Sequence, residues 1–167
     1  AASRNAAARS VRRWRRMRRS SNSCSCCRSD RAPLILVLSS AGRERSALVT
    51  LSESAGWVAT EAGGLREARR LLARQSPRVI LARHQLSDGF ADHLLREIGP
   101  ETPGRPRLII LASPGLAAAE EARQISLGAD CVLRDPVRSE VLLAYLARYL
   151  RRKEQDRSAS ARAPSVL

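Results

Sequence analysis

Aromatic side chains are nearly missing from this chain of 167 residues: one Phe, two Trp and two Tyr make up 3%. Any core must therefore be aliphatic, built from Leu, Ile, Val and Ala. Cysteine is as sparse. Three of the four, Cys24, Cys26 and Cys27, crowd into one short stretch, which excludes a disulfide framework spread across a domain. No apolar run approaches the roughly 18 residues that a membrane-spanning helix needs, so no membrane span is expected. Full disorder is excluded from the other side, because apolar residues still make up 44% of the chain.

What the chain has in excess is arginine, 29 residues against a single lysine, and a net charge of +14. That charge is localised. Residues 1–32 hold ten arginines and one acid, Asp30, for a net +9. Residues 151–167 add +3, and the whole of 33–150, with fifteen basic and thirteen acidic groups, adds only +2. The basicity belongs to the two ends, and a domain spanning 33–150 is close to neutral. The composition thus divides the chain into a disordered Arg-rich tail (1–32), a domain (33–150) and a polar tail or linker (151–167).

The first tail carries its arginines as Arg12, Arg13, Arg15, Arg16, Arg18 and Arg19, interrupted by Trp14 and Met17. Such an arm suits nucleic acid, since its guanidinium groups release counterions from phosphates and Trp14 can stack on a base. The same pattern suits an anionic membrane surface, an organelle transit peptide, or a solvated extension with no partner. No apolar segment of the secretory kind follows the arginines. Cys24, Cys26 and Cys27 lack the fourth ligand of a zinc site nearby, and free thiols are the simpler reading.

From residue 33 the pattern becomes regular. Leu34, Ile35, Leu36, Val37 and Leu38 form a short apolar run, as in a strand buried on both faces. A helical pattern follows to a stop at Gly56, and the alternation then repeats. Strands are predicted at 57–60, 79–82, 108–111 and 131–133. Helices are predicted at 65–75, from about 88 to 98, at 116–127 and at 139–151. Five strand–helix units in this length imply an α/β domain: a three-layer, doubly wound (βα)5 parallel sheet, of strand order 2-1-3-4-5.

Several stretches also resemble the receiver domains of bacterial two-component response regulators. They are residues 35–40, the segment SPRVILARHQLSDGF, the strand LIILAS and the segment LGADCVLRDPV. The turn Leu86-Ser87-Asp88-Gly89 is similar to the family's Leu-Pro-Asp-Gly after strand three, Gly128-Ala129-Asp130 to its Gly-Ala-Asp before strand five, and Pro136 to its proline after a lysine. The resemblance covers about 33–150 and implies a flavodoxin-like receiver fold in a cytoplasmic, phosphorelay-type signalling protein. It also implies a phosphorylation site, and there the sequence departs from the family. The acidic pair that holds Mg²⁺ falls on Ser39 and Ser40, the phosphoacceptor aspartate on Arg83, the hydroxyl position on Leu111 and the lysine on Asp135. Transfer of a phosphoryl group onto a carboxylate needs the carboxylate and oxygen ligands for a hard cation. The pattern therefore reads as a degenerate receiver, a pseudo-receiver without catalysis, cofactor or metal, acting through protein contacts. Base and acid have exchanged places between strands three and five, which suggests a salt bridge between Arg83 and Asp135. At ~4 Å and an effective dielectric of ~20 its Coulomb energy is about 4 kcal/mol before desolvation is subtracted.

The remaining candidates have plainer readings. His84 is expected as a surface loop residue and His93 on the solvent side of its helix. Ser39 and Ser40 are expected to cap the first helix, and Asp88-Gly89 to form a turn and cap. Cys131 reads as a small hydrophobe in a strand. On the last helix Leu142, Leu146 and Leu150 form one apolar row, while Val141, Tyr145 and Tyr149 form a second. The second row fits either the core or a partner surface, where the partner is another protein or a second copy of the chain.

Overall fold

The computed structural model describes residues 32–161, Pro103 apart, and of residues 151–161 the backbone alone. The arginine-rich arm and the cysteines at 24–27 lie outside the described residues. Strands β1 (Leu34–Leu38), β2 (Val58–Ala62), β3 (Val79–Arg83), β4 (Arg107–Ala112) and β5 (Cys131–Arg134) form one parallel sheet. Its order is β2-β1-β3-β4-β5, the order the strand–helix alternation predicts. The three inner strands are the ones with continuous apolar sequence, because both of their faces are covered. At the edges polar residues are tolerated, as in Val58–Ala62, which carries Thr60 and Glu61.

Side-chain alternation along each strand splits the core in two. One face sets Leu36, Leu38, Ile80, Ala82, Leu108 and Ile110 against helices α2 (Leu65–Arg74) and α3 (Ala91–Ile98). The other sets Ile35, Val79, Leu81, Ile109 and Leu111 against Leu142 and Leu146 of α5 (Ser139–Ala161), with Trp57 and residues of α1 (Gly42–Ser54) completing it. Helix α4 (Ala118–Ser126) buries only Gln124. It stops at Gly128, whose φ of +111° disfavours any other residue and whose missing Cβ would stand 3.2 Å from the Pro100 backbone. The adjoining Asp130 ties the start of β4. Its carboxylate accepts from Arg105 and Arg107 and, at 2.9 Å, from the Leu108 N–H. The Gly128-Ala129-Asp130 motif thus has a structural reason of its own.

Three expectations need correction. The last helix does not stop near Arg151 but runs to Ala161, since residues 151–161 are mostly good helix formers (three Arg, two Ala, and one each of Lys, Glu and Gln) and contain neither Gly nor Pro. Residues 151–161 are therefore helix, not unstructured tail. Phe90 is not on the apolar face of a helix: it precedes α3, is 47% exposed, and pairs in a two-residue antiparallel ladder, Gln85–Leu86 against Gly89–Phe90. Trp57 belongs to no strand and is buried beneath the sheet.

Candidate functional site

The carboxyl ends of parallel strands are where a doubly wound sheet opens a crevice. Ser39 directly follows β1, Arg83 ends β3, Leu111 lies beside Arg83 in β4, and Asp135 follows β5. A cavity of about 390 Å³ opens there, with Ser40, Glu44, Arg83, Leu111, Ser113 and Asp135 in its wall. The fold thus brings Ser39, Ser40, Arg83, Leu111 and Asp135 together at one edge of the sheet.

Arg83 is the centre of the arrangement. Its guanidinium pairs with Asp135 and, on its other side, with Glu44 from the first turn of α1. Neither acid is fully exposed: side-chain exposure is 21% for Arg83, 29% for Glu44 and 24% for Asp135. Glu44 was not among the residues singled out from the sequence. Burial pushes its carboxyl up, but hydrogen bonds from Arg83 and Ser39 outweigh burial and hold it below the usual range. Arg83 is likewise disfavoured by burial and kept protonated by its two acids.

Ser39 does something other than cap α1. The helix follows Ala41 without a side-chain cap; Ser39 is buried, donates its hydroxyl to Glu44 at 2.9 Å, and accepts at its carbonyl from the Arg45 guanidinium at 2.8 Å. Ser40 is exposed at the rim. Leu111 is buried within the core that faces α5. The donors do not fit a hard divalent cation: Ser39 and Ser40 offer hydroxyls, and the carboxylates of Glu44 and Asp135 are already taken by Arg83. The site as built is a clamped ion triad of net charge −1.

Asp88 acts at a distance. Its carboxylate does not cap the helix that follows it but the start of α2, accepting from the N–H groups of Leu65 at 2.7 Å and Arg66 at 2.9 Å. Those backbone hydrogen bonds, Arg66 first, lower its pKa. A Cβ on Gly64 would fall 2.5 Å from Asp88 Oδ1, so the Leu86-Ser87-Asp88-Gly89 turn and the Gly63-Gly64 pair fit each other.

His84 is no surface loop residue. With 13% of its side chain exposed, it lies between Gln124, 3.1 Å from Nδ1, and Phe90, whose ring centroid is 5.4 Å away. His93 is exposed on α3. Cys131 is half-buried, and that burial pushes its thiol pKa up, away from reactivity. On α5 the two apolar rows separate: Leu142 and Leu146 are fully buried, Tyr145 and Tyr149 pack part-buried against the same core, and Val141 is 41% exposed. No helix among the described residues is long and apolar enough to cross a membrane.

No protein-family model and no curated protein matches the chain. Solved structures do. A two-component response regulator from Clostridium difficile is 20% identical, with a TM-score of 0.64 over 72% of this chain and 98% of its own. A response regulator receiver domain protein from Clostridium thermocellum is 22% identical, with a TM-score of 0.65 over 74% and 98%. The receiver domain of a signal transduction histidine kinase from Syntrophus aciditrophicus is 22% identical, with a TM-score of 0.63 over 81% and 98%. At such identities the likeness is one of architecture, and the architecture of this chain is the receiver-domain fold.

Proposed function

We propose that the chain is an atypical receiver-like module of signal transduction, which works by protein–protein contact and without aspartate phosphorylation. The observation that carries this reading is Arg83, a base at the end of β3 with a carboxylate on either side. A guanidinium cannot accept a phosphoryl group as an aspartate does, and its fixed charge opposes a divalent cation at the same place. The module is then non-enzymatic, and its partner, another protein or a second copy, meets α5 around Val141 and the rims of Tyr145 and Tyr149. Incubation with acetyl phosphate and Mg²⁺, followed by intact-mass measurement beside a receiver that does carry the aspartate, is the test. No phosphoryl adduct on this chain is expected, and a stoichiometric adduct would overturn the reading.

The localisation of charge supports a second reading, a regulator that holds nucleic acid with residues 1–32 at net +9. Duplex DNA or structured RNA would then bind the full chain with steep salt dependence. Replacing Arg12, Arg13, Arg15, Arg16, Arg18 and Arg19 by Ser would abolish that binding.

A further inference from the structure

A second polar cluster begins at His84, the residue after Arg83, and has no part in the reading above. His84, Asp92 from the first turn of α3 and Glu120 from α4 each offer a ligand atom, and these atoms lie within 4.8 Å of one another. Among the described residues this is the one grouping of His, Cys, Asp and Glu with that geometry. His84 Nε2 stands 3.9 Å from Glu120 Oε1. Ligands bound at ~2.1 Å to a tetrahedral ion stand about 3.4 Å apart, so small side-chain rotations close the set.

Two orphaned atoms point to a missing partner. Asp92 is 5% exposed, yet its Oδ1 has no hydrogen bond, and Gln124, fully buried, has none at Oε1. A buried acid with an unused oxygen costs stability unless something satisfies it. The Gln124 amide also governs the histidine. As placed, Nε2 of Gln124 faces Nδ1 of His84. Turning the amide over puts the orphaned Oε1 against an Nδ1–H and leaves the imidazole Nε2 with a free lone pair, the state of a metal-ligating histidine held by a second residue.

At present the cluster's cation is Arg123, which pairs with both Asp92 and Glu120 and is 41% exposed, free to swing outward. Two carboxylates with one guanidinium leave a net charge of −1, whereas two carboxylates with one divalent ion are neutral. We propose that His84, Asp92 and Glu120 form a binding site for a divalent ion of the zinc class, with water as the fourth ligand, and that the ion displaces Arg123. One nitrogen and two oxygens suit a borderline ion such as Zn²⁺ and disfavour Mg²⁺, which keeps to oxygen. The bound ion joins the end of β3 to α3 and to α4, a helix that buries only Gln124 of its own.

The test uses the untagged full chain with Cys24, Cys26 and Cys27 replaced by Ser, so that tail thiolates do not compete. The chain has two histidines, which makes long-range ¹H–¹⁵N spectra of the rings easy to assign. On titration with Zn²⁺ the His84 ring is expected to adopt the Nδ1–H, Nε2–metal pattern while His93 stays unchanged. Glu120→Gln is expected to weaken the transition at least ~10-fold, and Arg123→Gln to tighten it by about 10-fold, since two ion pairs no longer compete. Both substitutions are on exposed or part-exposed side chains and leave the fold intact by circular dichroism. A His84 ring unmoved at ~1 mM Zn²⁺, a midpoint unchanged in Glu120→Gln, or weaker binding in Arg123→Gln would overturn the proposal.

Discussion

Single residues decide the chemistry of both polar clusters. Arg83 satisfies Glu44 and Asp135 together, so removing it leaves two part-buried carboxylates facing each other. Arg83→Ala is expected to lower stability by about 1–3 kcal/mol, and Arg83→Lys by less, since a point charge cannot serve both acids as a planar fork does. Urea unfolding of the two variants checks the order. Asp88 offers a second case. Asp88→Ala uncovers the N–H groups of Leu65 and Arg66 and is expected to cost about 1 kcal/mol, as loss of a helix cap does. Gly64→Ala should cost a similar ~1 kcal/mol, because its methyl group displaces the same carboxylate, and the double variant should cost little more than either alone. Additive losses in a double-mutant cycle would show that the two residues act separately. Neither Glu44 nor this distant cap was legible in the sequence. A strand pattern indicates which residues end at the sheet's edge, but not which side chain of a following helix turns back toward them. Asp92 did leave a trace: it stands three residues before Leu95, inside the apolar arc of α3, where a carboxylate is out of place.

Elements were read more faithfully than contacts. The five strands are short, the inner three are apolar, and Gly, Pro or Ser stands near their ends, so period and punctuation locate them to within a residue or two. Residues 151–161 escaped because an arginine-rich run with no apolar face looks like a tail, whereas its helix rests on backbone propensity and continuation from a docked segment. The paired rows of α5 were legible, but their division between core and surface was not, since spacing alone does not orient a helix. Leu146→Ala is expected to cost about 2–5 kcal/mol, the range for a fully buried leucine, and Val141→Ala less than ~1 kcal/mol. Thermal unfolding of the two variants separates an inward from an outward row. Equal losses would mean that Val141 is covered as Leu146 is.

At the scale of the whole molecule, acid sensitivity follows from several carboxylates at once. Glu44, Asp88 and Glu120 all have pKa values lowered in the folded chain by donors that the unfolded chain lacks. Groups of this kind contribute their full stabilisation above the unfolded values near 4 and lose it as pH falls through the folded ones. Stability against urea is thus expected to be level from about pH 6 to 8 and to decline below about pH 4.5. A decline that begins near neutrality would assign the sensitivity to other groups. The length of α5 has a consequence of a mechanical kind. Twenty-three residues make a rod of about 35 Å, of which the final eleven, from 151 to 161, account for about 17 Å. Whatever that rod carries is indexed to the domain by angle: one inserted residue turns it by about 100°, while seven restore its heading within about 20° and shift it by about 10 Å.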